Sequence, residues 1–100
     1  MPRITVETSH ALGQEEAVRR LKDKFTMAKG AYGDQVSDLQ EQWSDSALSF
    51  GFKVVGMKIA GTLEAGASHV RLAAEVPLAA MMFKGSIERQ VRQELDALLA

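Results

Sequence analysis

The chain has 100 residues, 46% apolar and 25% charged, with a net charge of −1 and no cysteine. That composition fits one globular domain with a modest core. It excludes a disulfide framework, a cysteine nucleophile and cysteine-ligated metal, and the near-neutral charge argues against nucleic acid as a partner.

"RITVE" alternates, with Ile4 and Val6 on one side, and predicts a first strand. "TSHALGQEEA" leads into a helix, with Ser9 and His10 placed to cap its free N–H groups. Along that helix Ala17, Val18, Leu21, Phe25, Ala28 and Tyr32 share one arc. Glu15 and Glu16 come early and Arg19, Arg20, Lys22, Lys24 and Lys29 later, which suits the helix dipole and describes a solvated face. "GAYGD" ends the helix, glycine being the natural left-handed stop.

Three or four further strands are expected. "VSDLQEQW" puts Leu39 and Trp43 on one face with Glu41 between them, as on an edge or half-buried strand. "ALSFGFKVV" alternates through Leu48, Phe50, Phe52 and Val54, "MKIAGTLEA" through Met57, Ile59, Gly61 and Leu63, and "HVRLAAEV" through Val70, Leu72, Ala74 and Val76. "WSDSAL", "VVGMK" and "EAGASH" supply the turns. A second helix from about Gly85 buries Ile87, Val91, Leu95 and Leu98. The expectation is a single α+β domain over residues 1–100. An antiparallel sheet of about five strands carries two helices on one face, in the order β-α-β-β-β-β-α.

Candidate chemistry is sparse. His10 precedes Glu15 and Glu16, a pairing that a general base would use, but its position before a helix is better explained by capping or solvation. His69 lies in a turn, and two histidines without helical spacing or cysteine do not make a metal site. Glu41 falls on the apolar side of its strand, where a cavity would raise its pKa and an edge strand would return it to water. "GAYG" matches a KH-type G-x-x-G loop only in spelling, since that loop joins two helices. No nucleotide-binding, hydrolase or phosphate-cradling motif is present, and no enzyme, cofactor or metal is expected.

"PLAAMMFKGSIE" is the anomaly: six apolar residues, Leu78 to Phe83, stand in a row. Extending the second helix backwards would turn Ala80 and Phe83 inward and Leu78, Met81 and Met82 outward. Pro77 and Gly85 oppose a continuous helix, and a short turn could tuck several of these side chains under the sheet. The other reading is an exposed apolar patch formed by Leu78, Met81, Met82 and Phe83 with Lys84 beside it, a feature that usually marks an interface.

"PRITV", "HALGQEEA" with His10, Leu12 and Glu16-Ala17, Trp43 ahead of "LSF", "GTLE" at 61–64 and "FKGSIERQVRQELD" at 83–96 occur in an order that resembles the small bacterial polyhydroxyalkanoic acid system (granule-region) proteins. The likeness runs nearly the full length and departs at "PLAAMM", where the family pattern is richer in leucine. It implies a bacterial setting connected with storage granules and supplies no catalytic residues.

The functional expectation is therefore a non-enzymatic protein whose partner is a polyhydroxyalkanoate granule or a granule protein, met through residues 78–84. A homodimer through an edge strand or the Met81–Met82 region is an equally physical use of such a patch. The rival is a ligand-binding or catalytic domain with a cavity between sheet and helices, lined by Trp43, Phe50 and Phe52 and opening near Glu41 or His10. No run approaches roughly 18 apolar residues, so no transmembrane helix is expected. "MPRITVETSH" lacks the apolar core of a signal peptide, which points to the cytoplasm.

Overall fold

Strict alternation is what builds the sheet. The computed structural model describes residues 2–54 and 56–100, the side chain of Tyr32 excepted. Five strands, β1 (Arg3–Ser9), β2 (Val36–Ser44), β3 (Ala47–Val54), β4 (Met57–Ala65) and β5 (His69–Glu75), form one antiparallel sheet in the order β1-β5-β4-β3-β2. Two helices, α1 (Gln14–Tyr32) and α2 (Lys84–Leu99), pack on one face, giving the expected α+β class. Tyr32 on the predicted arc, and Val55 in the turn predicted at "VVGMK", lie outside the described residues.

The buried face of the sheet reads directly from the strand parity. Ile4 and Val6 of β1, Val70 and Ala74 of β5, Leu63 and Ala65 of β4 and Leu48 of β3 are buried together beneath Ala17 and Leu21 of α1 and Leu95 and Leu99 of α2. Thr8 completes the β1 row, and its hydroxyl is satisfied by the Asp96 carboxylate of α2. The outer face carries polar and small side chains, as a sheet covered on one side requires.

Edge strand β2 keeps its apolar residues on the inner side by means of a bulge. Val36 pairs with Val54 and Trp43 with Leu48, yet 36 is even and 43 odd; the register slips by one residue between Ser37 and Gln40. Asp38 sits there with φ of 53°, a left-handed conformation that aspartate tolerates better than most residues.

Both ends of α1 differ from the sequence expectation. The N-cap is Gly13, whose φ of 81° suits glycine, and no side chain caps the helix. His10 instead holds the preceding loop. Its Nδ1 accepts from the Leu12 N–H and its Nε2 lies 3.1 Å from the Gly66 carbonyl, so the tautomer protonated on Nε2 satisfies both contacts. At the other end Gly33 is right-handed, φ −57°, not left-handed. Glycine is required because a Cβ would lie 2.7 Å from the Lys29 carbonyl oxygen.

The helices run antiparallel. Arg20 of α1 donates to the Leu98 and Ala100 carbonyls, closing the end of α2, and Lys24 pairs with Glu94 at 2.9 Å. Glu16 accepts from the guanidinium groups of Arg19 and Arg20, and these bonds hold its carboxyl at about 2, against 4.5 for the free group. A depressed folded pKa contributes stability above pH 4.5 that is lost as pH falls towards 2. Glu16→Gln is expected to flatten the urea midpoint across that window, with the difference shrinking in high salt because the group is at the surface. An unchanged acid slope in the variant would show that the arginines do not hold Glu16 in solution.

Candidate functional site

The anomalous apolar run folds as a 3₁₀ helix, Leu78–Phe83, leading directly into α2. Pro77 is extended, φ −61° and ψ 151°, and its carbonyl accepts from the Ala80 N–H to close the first turn. Ala80 and Met81 pack against the core, while Leu78, Met82 and Phe83 are 78%, 82% and 58% exposed. Lys84, the first residue of α2, is half-buried.

Two residues therefore differ from the wheel expectation: Met81 turns inward and Phe83 outward. A wheel of 100° per residue does not carry through a 3₁₀ turn. Phe83 itself leaves helical geometry, φ −104° and ψ 10°. Burial also fades towards the start of α2: Leu95 and Leu99 are buried, Ile87 and Val91 only half so. Phe83 continues their stripe beyond the point where the core lies beneath it.

A second apolar feature lies between the helices and the β2–β3 hairpin. A cleft of about 310 Å³ is lined by Phe25 and Ala28 of α1, Val36 and Leu39 of β2 and Phe52 and Val54 of β3. A wider one of about 730 Å³ separates α1 from α2, between Met27, Ala31, Ile87 and Val91. Ala28 and Phe52 belong to both, so the two form one continuous groove.

The predicted pocket residues are not all brought together. Phe50 and Phe52 stack at 6.3 Å between ring centroids, but only Phe52 lines the groove. Trp43 packs against the core, with the Lys22 ammonium 5.3 Å from its ring centroid. Its indole N–H donates to Glu41 Oε2 at 2.8 Å, and Lys29 Nζ meets Glu41 Oε1 at 2.8 Å. The Lys29 ammonium first, and the Trp43 indole second, hold the Glu41 carboxyl below the usual range. Glu41 is thus an ion-paired carboxylate, not the raised-pKa acid of a dry cavity. His10 sits apart, bound to the β4–β5 turn at Gly66.

The groove residues Phe25, Ala28 and Leu39 are legible as parts of apolar faces, not as a site, and Val36 comes to the inner side only through the register slip in β2. Met27 carried the one overlooked signal, a large apolar side chain of α1 off the predicted arc. Among the described residues no three His, Cys, Asp or Glu side chains are placed to hold a metal ion, and no helix is long and apolar enough to cross a membrane.

Sheet order, paired helices and an apolar turn at the mouth of α2 define a small two-layer α+β protein whose distinctive surfaces are greasy, not ionisable. The chain belongs to the polyhydroxyalkanoic acid system proteins, the granule-region family, whose family model matches residues 4–99. That description links the chain to a polyhydroxyalkanoic acid system and assigns no activity. A search of curated proteins finds no match.

Proposed function

We propose that this chain is a non-enzymatic protein of polyhydroxyalkanoate storage in the cytoplasm. It attaches to the granule, to its surface or to a protein on it, through the 3₁₀ turn ahead of α2. The observation that carries this reading is the exposure of Leu78, Met82 and Phe83 on one short, locally closed turn. Burying such a side chain fully is worth about 1.5–3 kcal/mol, so three partial burials offset a substantial part of the cost of association. Methionine and leucine adapt to an irregular apolar surface, and Lys84 beside them suits anionic groups at its boundary.

Co-sedimentation with isolated native granules tests this. The natural chain is expected to pellet, and the Leu78→Ser, Met82→Ser, Phe83→Ser variant to remain in the supernatant with an unchanged circular dichroism spectrum. Retention of that variant on granules would reject the turn as the attachment site.

The groove over Phe52 supports a second reading, a binding domain for a small apolar ligand, with its walls supplied by Phe25, Val36 and Leu39. Equilibrium dialysis against medium-chain hydroxy acids tests it; no retained ligand would count against it.

A further inference from the structure

We infer that residues 77–91, the 3₁₀ turn and the first two turns of α2, are a lid that melts away from the rest of the fold as one unit and so opens the wide cleft between the helices. The inference concerns the free protein and depends on neither reading of function above.

The lid is bracketed by two firm anchors. Ahead of it Val76 is buried, and its N–H donates to the Pro2 carbonyl at 3.1 Å. Behind it the last two turns of α2 are pinned by polar contacts from two elements. Arg92 donates to the Glu7 carbonyl of β1 at 2.9 Å and Asp96 accepts from Thr8, while Arg20 of α1 donates to the Leu98 and Ala100 carbonyls. Leu95 and Leu99 are buried in the same stretch.

Between these anchors the hold is weak. No residue from 77 to 94 is buried. Among the described residues, the first side chains of α2 to make a hydrogen bond or ion pair with the body are Arg92 and Glu94. Ahead of them only Ala80, Met81, Ile87 and Val91, each partly buried, pack the lid against the core. A segment with so few buried contacts lies at the low end of the local stabilities within a fold.

The start of α2 adds to this. Phe83 stands at the N-cap, no side chain caps the helix, and its first turn holds no acid. Lys84 places a cation where the helix dipole favours an anion, and Gly85 follows, the poorest helix former after proline. The 3₁₀ run ahead of them spans six residues, where such runs rarely exceed about four. Opening that begins at this junction meets no polar contact to stop it before Arg92.

Melting of the lid removes one wall of the cleft. Ile87 and Val91 face Met27, Ala28 and Ala31 of α1 across about 730 Å³, and Phe52 of β3 lines the same space. The open form uncovers Phe52 on the α2 side and frees Met81, Ile87 and Val91 as apolar side chains.

Hydrogen exchange of the full natural chain, read residue by residue by NMR over a series of low urea concentrations, tests the inference. Amides 88–91 bond to carbonyls inside the lid, and amides 96–99 to carbonyls beyond it. The first group is expected to exchange at least about tenfold faster, with one shared protection and almost no urea dependence, because a local opening exposes little surface. A Cβ at Gly85 would meet nothing within 4 Å, so Gly85→Ala strengthens the helix without a clash. It is expected to slow exchange at 88–91 about three- to fivefold. Amides 88–91 that share the rate and urea dependence of 96–99 would overturn the inference, since α2 would then open only with the whole fold. So would protection that climbs steadily from 88 to 91, the pattern of a fraying end, or exchange there that Gly85→Ala leaves unchanged.

Discussion

Valine at position 61 is expected to abolish stable folding, and alanine there to lower stability by about 3 kcal/mol. Gly61 sits in the middle of β4, opposite Phe50 on one side and Ala74 on the other. A Cβ at this position would lie 2.4 Å from the Ala73 carbonyl oxygen, 2.8 Å from the Ala74 Cα and 2.9 Å from the Phe50 ring. Two of these neighbours are backbone of a strand held on both sides, so they cannot retreat without opening the β4–β5 ladder. The ring of Phe50 meanwhile occupies the space that a side chain would claim. Urea unfolding followed by circular dichroism measures the effect: Gly61→Ala is expected to move the midpoint down by roughly 1–3 M. A midpoint equal to that of the natural chain would contradict the close approach of β5 to β4.

Leu48→Ala is expected to cost a similar amount, about 3 kcal/mol, for the opposite reason. Leu48 is 1% exposed and stands between Leu63 of β4 and Trp43 of β2. Removing its branched end leaves a void among side chains fixed to a hydrogen-bonded sheet, which cannot collapse far. A thermal midpoint lower by about 15 °C is expected for a domain of this size. Phe83→Ala provides the contrast. It removes more atoms, yet Phe83 is 58% exposed, so less than about 1 kcal/mol should be lost. If Phe83→Ala proved as damaging as Leu48→Ala, the aromatic would belong to the core, and the turn would not be a free surface.

The fold is legible because four of its five strands alternate without interruption. Ile4–Val6, Leu48–Phe50–Phe52, Leu63 and Val70 each announce an inner face by period alone. Strand parity puts Glu41 on that inner face, opposite Phe50, but its ion pair with Lys29 depends on where α1 lies, which no local pattern states. The bulge at Asp38 was equally hidden: period two puts Val36 on the wrong side, and only the register of β2 against β3 restores it. At the 3₁₀ turn the residue types were informative and the phase was not. Pro77 forecast an interruption, but whether Met81 or Phe83 would point inward turned on a change of helix pitch over six residues. The groove had no local signal, because it is a gap between elements, each of which obeys its own pattern.

The assignment of function rests on the claim that the apolar turn, and not the groove, meets the granule. Granule co-sedimentation with a variant of the groove wall, Met27→Glu, beside the triple variant of the turn tests this most directly. The Met27→Glu chain is expected still to pellet with native granules, and the folded Leu78→Ser, Met82→Ser, Phe83→Ser chain to stay in the supernatant. If the triple variant pellets as fully as the natural protein, the turn is not the attachment site.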